Sequence, residues 1–207
     1  PEYWEYDDGV SLYALVEALS EVVMPGDLFV PGSSGACSEV SMQAFKSQKG
    51  VRVFNSEGMG PMGFGISGAI GGCIASGGKR TVCIDGDGGF AMNTQELETV
   101  SRLNLPITFF VLDNDGYASI RSTQKAYFEG RYYASSSEGG LTLPKIEKIA
   151  DAYGIHFMEM KKSTDIRKKV KKSLTFGKPV ICRVKVSEKQ VTAPRVTSRQ
   201  AEDGSME

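Results

Sequence analysis

Between residues 10 and 186 two hydrophobic periods take turns, and this alternation limits the fold more than any other property of the chain. Apolar residues at helical spacing over 10–24 (Leu12, Leu15, Val16, Leu19, Val23) give way to a short continuous apolar run at 28–31. The exchange then repeats as helix 38–47 and strand 51–54, helix 62–76 and strand 81–84, and helix 94–103 and strand 107–112. A strand at 155–159, a helix at 163–174 and a strand at 179–186 close the series. Strands that are apolar at every position need cover on both faces, and a helix between successive strands makes the crossover parallel. The expected fold is therefore α/β: a doubly wound, mostly parallel sheet of about six strands with helices on both faces. Thr142 reads as the N-cap of a further helix, with Pro144 just inside it. Residues 125–141 show no period and read as a long loop of the functional kind. The domain is expected over 1–186, with a polar tail, 187–207, that packs loosely or against sequence outside the chain. Pro1, without an initiator Met, and the end Gly204–Glu207 read as those of an excised piece of a longer protein.

Charge narrows the partners. Lys and Arg number 24 against 25 Asp and Glu, a net charge of -1, so no overall field attracts nucleic acid or an anionic membrane. The longest apolar stretches, such as Pro106 to Leu112, fall far short of the ~20 residues of a membrane span, and no basic-then-apolar leader opens the chain. A cytoplasmic protein with neither nucleic acid nor membrane as partner is expected. The basic run Lys161, Lys162, Arg167, Lys168, Lys169, Lys171, Lys172 and Lys178 has no interleaved aromatic residue before Phe176, and so reads as a solvated helix face. Cys37, Cys73, Cys83 and Cys182 lie far apart without a C-x-x-C, as buried thiols would. The single histidine, His156, lies in a short strand, where a hydrogen-bonded imidazole is expected. One histidine excludes a zinc site built on several of them and leaves any His-assisted nucleophile to that residue alone.

Of the 24 glycines, 12 fall between Gly58 and Gly89. Gly58-Met59-Gly60-Pro61-Met62-Gly63 matches G-x-G-x-x-G between a strand and a helix, and Asp85 follows Gly63 by 22 residues, as in a dinucleotide site. Pro61 removes an N–H from the loop that would hold the pyrophosphate, and the strand ending at Asp85 runs straight into a second glycine loop. That loop is Asp85-Gly86-Asp87-Gly88-Gly89, and the next strand ends in Asp113-Asn114-Asp115-Gly116. Asp87 and Asn114 are 27 residues apart, one crossover, so their side chains can meet at the ligand-binding edge of a parallel sheet. A carboxylate, an amide oxygen and the Gly116 carbonyl are hard donors suited to octahedral Mg²⁺, while Gly86, Gly88 and Gly89 let backbone N–H groups face a diphosphate.

Gly86-Asp87-Gly88 with Asn114 resembles the diphosphate–magnesium motif of thiamine diphosphate enzymes. Gly58 to Gly65, followed by Asp87 and by Asn93 to Thr99, is similar to the acetolactate synthase branch, and the resemblance covers about 25–186. It implies the C-terminal, cofactor-binding "PP" domain of a 2-oxo-acid carboligase or decarboxylase that uses thiamine diphosphate and Mg²⁺. By that resemblance Asp87, Asn114 and the Gly116 carbonyl hold Mg²⁺, and Gly86, Gly88 and Gly89 line the diphosphate. Met62 buttresses the bent cofactor, the backbones of Gly60 and Met62 bond its aminopyrimidine, and Gly35, Ala36, Cys37 and Tyr117 complete the cofactor set. No catalytic residue is expected in the chain, because the activating glutamate belongs to a pyrimidine-binding domain. That domain and a middle domain are the implied partners, in a homodimer or higher homo-oligomer that acts on a small 2-oxo acid. The isolated chain would then be inactive. Three departures from the branch bear on the substrate: Asp113 for the first Asn of the pair, Gly35-Ala36-Cys37 for Gly-Gln-His, and Thr123 for a Trp over the substrate channel. The alternatives are the β subunit of a two-chain 2-oxo-acid decarboxylase, a Rossmann-type NAD(P)-binding domain using Gly58, Gly60, Gly63 and Asp85, and a regulatory domain that has lost its ligand.

Overall fold

A computed structural model of the chain describes residues 3–33, 35–56 and 58–194. It contains a six-stranded, wholly parallel sheet in the order β2-β1-β3-β4-β6-β5. The strands are β1 (Leu28–Pro31), β2 (Arg52–Val53), β3 (Thr81–Gly86), β4 (Ile107–Asp113), β5 (His156–Met160) and β6 (Val180–Lys185). The central strands are buried at nearly every position, as their continuous apolar runs require.

Two apolar layers sandwich the sheet, and neighbouring residues of one strand serve opposite layers. Phe29, Val82, Ile84, Phe110 and Leu112 pack under α1 (Leu12–Val22), α2 (Gly35–Ala44) and α8 (Ile166–Leu174). Val30, Cys83, Phe109, Val111 and Ile181 pack under α3 (Phe64–Ala75), α5 (Leu97–Arg102) and α7 (Ile146–Ala152). The doubly wound α/β expectation holds. All four cysteines are free and buried. Among the described residues no helix is long and apolar enough to cross a membrane.

At the lower edge of the sheet, where β1 and β3 begin, Arg80 makes a half-sheltered clamp. Its Nε donates to Asp27 Oδ1 at 3.0 Å and its Nη2 pairs with Asp27 Oδ2. The same guanidinium donates to the carbonyls of Val22 and Leu174, tying the ends of α1 and α8 to the strands.

Four local expectations need correction. Residues 87–92 form a short helix, α4 (Asp87–Met92), where the sequence reads as a glycine loop, a reading that the turn preference of Asp-Gly-Gly invites. A helix α6 (Ala118–Tyr127) precedes and overlaps the expected loop 125–141. It buries none of its residues and so leaves no apolar stripe to read. Thr142 caps nothing: α7 starts at Ile146 with an extended Lys145 before it, since Pro144 disfavours helical backbone at Leu143. His156 is exposed at the start of β5, where it stacks on Phe176 with ring centroids 4.4 Å apart. Residues 187–194 lie along α1, with Gln190 Oε1 accepting from Leu12 N at 2.8 Å and Ser187 Oγ donating to Asp8. The remainder of the expected tail, 195–207, lies outside the described residues.

Candidate functional site

Three adjacent strands, β1, β3 and β4, point their C-terminal ends at one cleft. Ala36 and Cys37 enter it from the start of α2, Gly86, Gly88 and Gly89 from the turn of β3 into α4, and Asn114, Gly116 and Tyr117 from the end of β4. Met62 completes the lining from the stretch before α3; it is 36% exposed, and Phe64 behind it stacks edge-on against Phe54. Gly88 leaves room for the Tyr117 ring, since a Cβ there would come 2.4 Å from it. Two expected residues stand beside the cleft. Gly35, with φ +46°, packs its backbone against the Ser119 hydroxyl. Gly60 lines a neighbouring hollow with Ser33 and Ser56, and its N–H donates to Ser56 O at 2.9 Å, which leaves the carbonyl for a ligand.

Asp87 is buried, and backbone N–H groups aim it. Gly88 N donates to Oδ1 at 2.8 Å; Gly116 N and Asn114 N donate to Oδ2 at 2.9 and 3.3 Å. The terminal amide of Asn114 brings one atom within 2.9 Å of the Gly116 carbonyl and 3.2 Å of Asp87 Oδ1. With its nitrogen there, Asn114 donates to both. With its oxygen there, it faces each of the two other oxygens at close to the edge of a Mg²⁺ octahedron, about 3.0 Å for ligands at ~2.1 Å. The residues therefore fit a small hard cation that satisfies three oxygens at once. Among the described residues no cluster of three or more His, Cys, Asp or Glu exists elsewhere to compete for a metal. Asp113, the first residue of the pair, turns to Arg183, whose Nε lies 3.2 Å from its Oδ2.

Burial sets the electrostatics. Desolvation pushes the Asp87 carboxyl up to about 6, with the N–H groups of Gly116 and Gly88 pulling it back and Asp113 adding to the rise. Burial likewise lifts the Cys37 thiol well above its usual range, reinforced by the charges of Asp85 and Asp87.

Asp85 has a role that the sequence does not show. It is 2% exposed and accepts from Gly86 N at 2.9 Å. Its carboxylate packs so closely under Gly32, Gly65 and Gly89 that a Cβ on any of them would come within 2.3–2.6 Å of it. Desolvation raises its carboxyl to about 7. A carboxylate locked beneath three glycines cannot reach a ribose, so the dinucleotide reading of Asp85 is corrected. Asp85 instead joins the segment after β1, the first turn of α3 and the middle of α4. The sequence also hides α6 and the segment behind it: Asp115 Oδ2 accepts from Ser137 N and Oγ, and Gln124 bonds both Ser135 and the Tyr133 carbonyl. Thr123 is exposed on α6.

The model of a family described as "Thiamine pyrophosphate enzyme, C-terminal TPP binding domain" matches residues 33–184. The chain is similar to the acetolactate synthase isozyme 2 large subunit of Escherichia coli, 33% identical over 197 residues, which are 93% of this chain and 35% of that protein. It is 34% identical over 146 residues to the mitochondrial acetolactate synthase of Schizosaccharomyces pombe, covering 70% of this chain and 21% of the relative. A probable acetolactate synthase large subunit of Methanococcus aeolicus is 33% identical over 137 residues, 66% and 22% of the two chains. The chain thus spans between about a fifth and a third of these relatives. The matched segment runs from the loop after β1 to the last strand and takes in every wall of the cleft, so the chain belongs to the family of C-terminal thiamine pyrophosphate-binding domains of thiamine pyrophosphate enzymes.

Proposed function

We propose that the chain binds thiamine diphosphate together with Mg²⁺ as the C-terminal domain of an acetolactate synthase-like carboligase or decarboxylase acting on small 2-oxo acids. The observation that carries this reading is the meeting of Asp87, Asn114 and the Gly116 carbonyl beside a glycine-lined cleft with Met62 at its mouth. When bound, the cofactor supplies the carbon–carbon chemistry, cleaving a 2-oxo acid and transferring its acyl unit. The residues of this chain hold and shape. Asp87, Asn114 and Gly116 would present oxygens to the metal, and the backbone of Gly86, Gly88 and Gly89 would face the diphosphate. Met62 would form an apolar wedge under the ring system, and the Gly60 carbonyl would accept from its aminopyrimidine. A carboxylate that activates the pyrimidine would come from a domain outside these residues, which makes the isolated chain inactive. Asp87→Ala leaves one side chain and one carbonyl, too few for an octahedral ion, so metal and diphosphate should be lost together. Calorimetry of thiamine diphosphate with Mg²⁺ should show no binding by Asp87→Ala; binding equal to that of the wild type would refute the site.

A further inference from the structure

One side chain holds the end of β4 from behind. Arg121, half-buried on α6, donates through Nη2 to the Asn114 carbonyl at 2.5 Å and through Nη1 to the carbonyls of Asp115 at 2.7 Å and Ser135 at 3.1 Å. Its acceptors are main-chain oxygens of the donor loop itself and of the segment folded over it. The peptide between Asp115 and Gly116 is clamped at both ends, its carbonyl on Arg121 and its N–H on Asp87 Oδ2 at 2.9 Å. That clamp sits where the backbone is least favourable, since Asp115 (φ +64°) and Gly116 (φ +104°) are both left-handed in succession. Released, the loop has an easy way to relax, and relaxation would turn the Gly116 carbonyl and the Asn114 side chain out of register with Asp87.

We infer that Arg121 is a positioning residue that presets the Asn114 and Gly116 oxygens for Mg²⁺. It also couples them to the segment around Ser135, whose carbonyl accepts from Tyr117 N at 2.9 Å as well. The inference rests on the proposed function, because it concerns the same metal. Arginine suits the task since its planar fork reaches three carbonyls in fixed directions, which a lysine ammonium on a flexible stem cannot do.

The test titrates Mg²⁺ into the full-length protein at saturating thiamine diphosphate, following binding by calorimetry, for wild type, Arg121→Gln and Arg121→Lys. Groups that orient metal ligands typically contribute 10–100-fold to affinity, so Arg121→Gln should need at least about tenfold more Mg²⁺ for half-saturation. Arg121→Lys should recover part of that loss. The unfolding midpoint of the ligand-free variants should stay near that of the wild type, because the side chain is only half-buried. Half-saturation of Arg121→Gln at the wild-type Mg²⁺ concentration overturns the inference, as does an equal loss in both variants with a matching fall in midpoint. A wild type that takes up no thiamine diphosphate with Mg²⁺ overturns the functional reading, and this inference with it. Wild-type uptake beside an unaltered Arg121→Gln overturns this inference alone.

Discussion

Asp85 and Asp87 stand two residues apart, and burial raises both, yet they do different work: one packs under three glycines and the other turns its carboxylate to the Asn114–Gly116 loop. The sign of the Asp85 effect follows from its proton. Its folded-state value of about 7 lies above the ordinary 3.8, so the folded chain keeps a proton that the unfolded chain sheds. The associated stability is complete below pH 3.8 and is lost as pH rises to about 7, a span worth about 4 kcal/mol at ~1.36 kcal/mol per unit. Asp85→Asn keeps the shape without the charge. Thermal unfolding of the ligand-free protein should therefore show Asp85→Asn melting above the wild type at pH 8, with a gap that narrows towards pH 5; parallel curves would sink the argument. The dual character of these residues limits what can be read from sequence. Asp87 and Asn114 are legible because their spacing and neighbours spell out chemistry. Asp85 is not, because its partners are three glycines, Gly32, Gly65 and Gly89, whose significance is that they lack side chains.

At the level of elements, the cleft lies at one edge of the sheet and the Arg80 anchor at the other. The Arg80 clamp ties β1, β3 and the ends of α1 and α8, on the edge opposite the cleft. Arg80→Ala would leave Asp27 nearly buried without its cation, a change that typically costs about 3–5 kcal/mol. Chemical denaturation should show that loss, while the fraction still folded binds thiamine diphosphate with unchanged affinity; a parallel fall in affinity would mean that the two edges are coupled. The same division explains which elements the sequence reveals. β3, β4 and β6 and the helices over them carry buried stripes, so their periods are visible. α6 buries nothing, and its amino acids answer to the loops beside it, through Arg121 and Gln124, rather than to a core. The segment after β4 is therefore where pattern reading fails and where the site gains its support.

For the whole molecule, apolar side chains stand exposed on the segments before α3 and after β4, and two of them, Met62 and Ile120, line the cleft. Met59 is 89% exposed and Tyr133 83%, with Met62, Ile120, Tyr127 and Phe128 exposed in lesser measure. Apolar rims of this kind mark contact surfaces. The full-length protein should sediment as a dimer or larger at micromolar concentration, and replacing Met59 and Tyr133 by Glu should shift it towards monomer. A wild type that stays strictly monomeric would count against a shared cleft.

The strand order has one more consequence, for the chain as it is synthesised. Among the described residues β6 comes last in the sequence, yet it does not add to an edge; it enters between β4 and β5 and is the only described strand that pairs with β5. Until residues 180–185 leave the ribosome, β4 presents an edge of unpaired backbone N–H and C=O groups and β5 has no partner among the described strands. The middle of the sheet is covered only once residues 180–185 join it, and a chain cut short before them would be left with two open edges in place of one sheet.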